Sequence, residues 1–268
     1  MTKSVSTTAT RRTVLTGAGG AVASATLPGV ADAGASAERT GRPSIVLVHG
    51  AFTDGSCWNE VILRLRARGY RARAVPMPLS SLADDVEATR RVLEQEAGPV
   101  LLVGHSWGGA VITQAGATSK VAALVYLSAL APDAGEAVAD LQRHGPASPA
   151  MAAATPDAHG FLWFDPERYH AGLAEDVPEP RAFCMAMTQQ PIAAKSFGET
   201  VQAAAWRQKP SYYLLSEQDR ALSPVLQRWM ADRMHATVRS VPSSHMSLIA
   251  HADAAAALIA LAAERVSA

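Results

Sequence analysis

The 268-residue chain predicts an α/β fold: a doubly wound, mostly parallel sheet of about six strands with an inserted helical cap. Three observations predict it. Short, continuously apolar runs such as Ser44-Ile45-Val46-Leu47-Val48 read as strands covered on both faces. Between them lie stretches with apolar residues at helical spacing. One long interval, residues 131–206, interrupts this alternation before it resumes.

The elements follow in order. After the first strand, Trp58, Val61, Ile62 and Leu65 recur at helical spacing, and Gly69 ends that helix. Residues 71–75 read as the second strand. Leu82, Val86 and Leu93 mark one face of a helix that stops at Gly98-Pro99. Residues 100–103 and 121–127 supply the third and fourth strands, and residues 211–216 and 237–241 the last two. The interval 131–206 shows no clear strand and is rich in Pro, Ala, Met and aromatic residues, so it reads as a helical cap.

Composition sets the limits around this fold. The chain is 49% hydrophobic and 18% charged, enough for one sizeable core. Lys plus Arg and Asp plus Glu balance at 24 each, which points away from a nucleic-acid groove and toward a small, uncharged substrate. No apolar run reaches the roughly 18 residues of a membrane span, so no stable membrane anchor is expected.

Residues 1–37 read as a leader rather than as part of the domain, which is expected over 38–268. Arg11-Arg12 precedes a Gly/Ala-rich, mildly apolar stretch running to Val30, followed by the small-x-small triplets Ala31-Asp32-Ala33 and Ala35-Ser36-Ala37. The paired arginines resemble a twin-arginine export signal, making the export machinery a partner and the mature protein secreted or otherwise extracytoplasmic. The two cysteines, Cys57 and Cys184, lie in apolar sequence and are expected as buried free thiols.

The chemistry centres on Gly104-His105-Ser106-Trp107-Gly108, placed between an apolar strand and the small-residue helix start Gly109-Ala110. A sharp strand-to-helix turn lifts the Ser106 hydroxyl above the sheet edge, and the flanking glycines let neighbouring backbone approach. A serine hydroxyl attacks only when a base removes its proton. Of eight histidines, His245 lies in the loop after the last strand, where ligands gather in open α/β sheets. Asp219, past the end of the fifth strand, is the expected orienting acid, with Asp133 after the fourth strand as the alternative. The tetrahedral oxyanion needs backbone N–H donors; these are assigned to Trp107, after the nucleophile, and to Ala51, where Gly50 lets the first loop bend toward the site. Phe52, Trp107, Phe161, Trp163, Met187 and Met246 are expected to line a largely apolar substrate pocket.

The segments His-Gly-Ala-Phe-Thr-Asp-Gly-Ser-x-Trp, Gly-His-Ser-Trp-Gly-Gly, the Asp219 loop and Ser-His-Met together resemble the small α/β hydrolases that include methylesterases and hydroxynitrile lyases. The resemblance runs from about Ser44 to the final helix. It implies the α/β-hydrolase fold, a Ser106-Asp219-His245 triad, an oxyanion hole, no cofactor, no metal and a mostly helical cap. The lyases of that group carry a threonine after the first-loop histidine and a lysine after the catalytic histidine, where this chain has Gly50 and Met246. Hydrolysis of a small ester or lactone through an acyl-enzyme is the reading this favours. Two alternatives stay open: lyase or perhydrolase chemistry on the same residues, and a ligand-binding homologue without catalysis.

Overall fold

The computed structural model describes residues 42–267 together with Met1. The export signal expected over residues 1–37 therefore lies outside the described residues, Met1 apart. The chain runs β1 (Ser44–Val48), α1 (Asn59–Ala67), β2 (Ala72–Ala74), α2 (Leu82–Gln95), β3 (Val100–His105), α3 (Trp107–Ala115) and β4 (Val121–Leu127). An insertion follows, carrying α4 (Val138–Leu141), β5 (Ala154–Pro156), β6 (Phe161–Phe164), α5 (Pro166–Leu173), α6 (Glu179–Met187) and β7 (Ile192–Ala193). The sheet then resumes with β8 (Ser211–Ser216), α7 (Pro224–Arg233), β9 (Thr237–Val241), α8 (Ser247–Ala250) and α9 (Ala252–Ser267).

Six strands pair in the order β2-β1-β3-β4-β8-β9, every pairing parallel. The sheet is that expected from the sequence. Every residue of β3 and β8 is buried, because helices cover both faces. Right-handed crossovers put α1 on one face and α2, α3 and α7 on the other. The last helix, α9, returns to pack on α1 and against β4.

The chain leaves β1 outward to β2 and then crosses back to β3 on the opposite side of β1. This reversal opens a crevice at the carboxyl ends of β1 and β3, the standard ligand position in an open α/β sheet. The loop after β1 and the turn after β3 both end there.

The insertion is helical in α4, α5 and α6 but also carries a three-stranded antiparallel sheet in the order β5-β6-β7. This corrects the expectation of an interval without strands. The strands are only two to four residues long, too short to show an alternation in sequence. Cys57 and Cys184 are free thiols, yet only Cys57 is buried. Ala182 and Ala186 turn one face of α6 inward, which leaves Cys184 outside. Burial pushes the Cys57 thiol pKa up, despite a hydrogen bond with Thr53. Among the described residues, no helix is long and apolar enough to cross a membrane.

The packing of α3 on β1 demands glycine. A Cβ on Gly108 would lie 2.4 Å from the Val48 carbonyl oxygen and 2.7 Å from that of His49. Backbone cannot step aside as a side chain can, so Gly108→Ala is expected to destabilise the domain by about 3 kcal/mol, lowering Tm by roughly 6–12 °C. Gly198→Ala, with no atom within 4 Å of the added carbon, is expected to stay within about 0.5 kcal/mol of the parent. Thermal unfolding of the two variants checks the contrast.

Candidate active site

Ser106 sits between β3 and α3 with φ 52° and ψ −121°, a conformation that side-chain-bearing residues rarely adopt. Hydrogen bonds on both sides hold this turn. The Ser106 N–H donates to Leu127 O at 3.3 Å, and Ser106 O accepts from the N–H groups of Gly109 at 3.0 Å and Leu130 at 3.1 Å. The loop after β1 closes over the same turn. A Cβ on Gly50 would come within 2.7 Å of Ser106 Cβ, so the threonine that the lyases carry here has no room.

Asp219 and His245 are brought together beside this turn. His245 Nδ1 donates to Asp219 Oδ2 at 2.7 Å, and both residues are buried. That bond fixes the tautomer: Nδ1 carries the proton, and Nε2 keeps a free lone pair. The Asp219 carboxylate also accepts from the N–H groups of Ala221 and Leu222 and from Gln227 Nε2, each at 2.8 Å. Gln227, on α7, is a residue that the sequence reading missed. Its amide oxygen in turn accepts from Ser216 N–H at 3.1 Å, so its orientation is fixed from both ends. Its burial is a tertiary fact, and the sequence carries no signal that sets Gln227 apart from a polar residue facing water.

Asp133, the alternative acid, is held elsewhere. Its carboxylate accepts from Arg207 Nε at 2.6 Å and from Arg207 Nη2. That guanidinium is the main cause of its lowered pKa.

The loop carrying His245 is pinned from two directions. His105 Nε2 donates to His245 O at 3.0 Å, so His105, beside the serine, holds the backbone of that loop. Burial holds the His105 pKa well below the ordinary value, with neighbouring His245 adding to the effect. From the insertion, Asp176 accepts from Ser243 Oγ at 2.7 Å, from Ser244 N–H at 3.1 Å and from Ser244 Oγ. Burial opposes ionisation of Asp176, but these bonds outweigh it and the pKa lies below the ordinary carboxylate value. His49 Nδ1 donates to Gly50 O at 2.9 Å, and burial keeps it neutral.

Ser106 and His245 face one cavity of about 60 Å³. Ala51, Phe52 and Trp107 line it, together with Leu130, Ala221 and Leu222 from the ends of the sheet. Val138, Gln142, Met151, Leu173 and Phe197 close it from the insertion. No lining side chain bears a formal charge unless His245 is protonated. Among the described residues, the buried N–H groups of Ala51 and Trp107 have no hydrogen-bond partner, although each borders the cavity beside Ser106. Buried backbone donors are nearly always paired, and both of these residues border the same cavity. No group of three or more His, Cys, Asp or Glu side chains among the described residues is placed to hold a metal ion.

Four residues expected in the pocket stand outside it. Along β6 the side chains alternate, so Phe164 points inward and Trp163 outward; Trp163 is 43% exposed and donates its indole N–H to Asp157. Met187 is 55% exposed, on the face of α6 opposite Ala182 and Ala186. Met246 is fully buried in the core and does not border the cavity. Phe161 is half-buried at the start of β6 and is not part of the lining either.

Known proteins resemble this chain in sequence and fold. A probable hydrolase of Phoma sp. is 27% identical over 209 residues, spanning 71% of this chain and 83% of that protein. A probable esterase of Oryza sativa is 37% identical over 111 residues, 36% of this chain and 42% of its own length. The crystal structure of a pyrethroid hydrolase from Sphingobium faniae superposes with a TM-score of 0.72 at 25% identity, covering 83% of this chain and 97% of that one. The family model described as alpha/beta hydrolase matches residues 45–258, and with this sheet and these relatives the chain belongs to the alpha/beta hydrolase family, on its esterase branch.

Proposed function

We propose that the protein cleaves small, uncharged, largely apolar carboxylic esters or lactones through an acyl-enzyme formed on Ser106. The chain is a carboxylic ester hydrolase, in keeping with its family and its esterase relatives; the nucleophile, its partners and the substrate class are this proposal. The observation that carries it is the pair of unspent backbone donors at Ala51 and Trp107, flanking a serine that shares a cavity with His245.

The steps follow from these groups. Ser106 Oγ attacks the acyl carbon while its proton passes to His245 Nε2, and Asp219 holds the resulting imidazolium through Nδ1–H. The oxyanion accepts from the Ala51 and Trp107 N–H groups, which lie fixed before the charge develops. His245 then protonates the leaving alkoxide, the alcohol departs, and the acyl group remains on Ser106. Water attacks the acyl carbon, giving its proton to His245, and the acid leaves as Oγ recovers that proton. An apolar wall offers nothing to compensate a buried charge, which supports an uncharged substrate.

Ser106→Ala is expected to lower turnover of p-nitrophenyl esters by about 10⁶-fold with Tm unchanged. Asp219→Asn is expected to lose roughly 10³–10⁴-fold, because the imidazole tautomer is no longer enforced, whereas Asp133→Asn loses less than about tenfold by the same principle. A reversed order for the two aspartates would place the acid after β4.

We also propose that residues 1–37 direct twin-arginine export, on the support of Arg11-Arg12, the weakly apolar stretch behind them and the two small-x-small triplets. Exchanging both arginines for lysine is expected to trap full-length protein in the cytoplasm of a host with that pathway. N-terminal sequencing of the exported wild type checks it; active protein found only in the cytosol and starting at Met1 or Thr2 contradicts it.

A further inference from the structure

Asp85 is a buried carboxylate on α2 with no cation paired to it among the described residues. Its two oxygens are spent on two N–H donors. Oδ2 accepts from Trp107 Nε1 at 2.8 Å, and Oδ1 accepts from Leu79 N–H at 2.8 Å. Leu79 is itself at φ 54°, a left-handed conformation that this bond helps to hold. Burying a carboxylate without a cation is costly, and an apolar residue would fill the interior of α2 without that cost.

What the carboxylate fixes is the wall beside the candidate nucleophile. Trp107 is the residue after Ser106, is 1% exposed, and forms part of the cavity lining. Its ring meets Phe197 of the insertion at 5.4 Å between centroids, tilted by 53°, and Phe197 lines the same cavity. The indole N–H, the group that could bind a substrate atom, is turned away from the cavity and tied to Asp85. The ring therefore presents only carbon to the cavity, and its angle is set from behind.

We propose that Asp85 is a positioning residue: by tying the Trp107 indole it sets the cavity wall beside Ser106 and steadies the Trp107 backbone N–H at the oxyanion position. The catalytic part rests on the reading of Ser106 given above; the Asp85–Trp107 tie does not. Glutamine, asparagine or leucine at this position cannot reproduce it. An amide has one acceptor oxygen, so Asn leaves one of the two donors facing another N–H.

The tie has a pH signature. Burial raises the Asp85 pKa to about 6, with the bonds from Trp107 and Leu79 opposing. The charged groups acting on it are Asp84 on the same helix and Glu199 of the insertion, both raising it further; Lys195 of the insertion acts on Asp84. As pH rises through about 6, the carboxyl becomes a carboxylate and a stronger acceptor for the indole N–H.

The test is the ¹⁵N–¹H spectrum of the tryptophan indoles, with the Trp107 resonance assigned by its loss in Trp107→Phe. In the wild type it is expected to move with a midpoint near pH 6, and in Asp85→Asn to lose that titration. Ester kcat/KM at pH 8 is expected to fall roughly tenfold in Asp85→Asn, and to fall no further when the same change is made in Trp107→Phe. A resonance that stays flat in the wild type, or that keeps its titration in Asp85→Asn, overturns the proposal. So do kinetic effects of the two substitutions that multiply. If Asp85→Asn does not fold, the wild-type titration carries the test by itself. That spectrum is read without substrate, so loss of the Ser106 reading and loss of this one are separate results.

Discussion

Four glycines let three strands and a helix converge on Ser106, and the geometry of the site depends on that approach. Added Cβ atoms would come within 2.7 Å of another atom at Gly50, 2.6 Å at Gly104, 2.4 Å at Gly108 and 2.3 Å at Gly109. At the last three the obstacle is a carbonyl oxygen. Only with those carbons absent can α3 start directly against β1 and β4, and only then does Ser106 take its φ of 52°. The strain in that turn is offset by the surrounding backbone bonds from Gly109 and Leu130. Its consequence is chemical. The turn puts the first N–H of α3, at the positive end of the helix dipole, directly after Ser106, and Trp107 and Ala51 line the same cavity.

The remaining groups are held rather than reached for. Asp219 accepts four hydrogen bonds, so neither of its oxygens is free to turn away from His245. The loop of His245 is tied to the sheet through His105 and to the insertion through Asp176. The insertion thus does two jobs. It closes the cavity with Val138, Leu173 and Phe197, and it braces the loop carrying His245. Leu173 and Asp176 lie three residues apart, so the wall of the cavity and the brace of the His245 loop are parts of one short segment. A shift of that segment would alter the cavity and the position of His245 together.

Sequence showed most of what lies at the ends of the sheet. The six strands were legible because strands buried on both faces are runs of apolar residues. Ser106 was legible because glycine spacing around a strand-to-helix turn is restrictive. Asp219 and His245 follow from chain order and from the loops they occupy. The cavity wall was far less legible, since choosing inward residues requires the phase of each element. Trp163 and Met187 have the right chemistry for a pocket, but β6 and α6 turn them outward. Phe197 and Met151 sit in short irregular turns, where no periodicity exists to assign a face. Gln227, Asp85 and Asp176 act through tertiary hydrogen bonds, and a polar residue on a helix looks the same in sequence whether it faces water or a buried partner.

The proposed reaction begins with attack on the acyl carbon by Ser106, activated by His245 and facing the Ala51 and Trp107 N–H groups. Reaction with a fluorophosphonate ester, followed by peptide mass spectrometry, tests it most directly, because phosphorus is attacked by the same oxygen and the adduct's oxygen occupies the oxyanion position. Loss of ester hydrolysis is expected in step with a single phosphonyl adduct on the peptide containing Ser106, with no adduct in Ser106→Ala. An adduct on a different residue, or ester hydrolysis that persists in protein fully modified at Ser106, would contradict it.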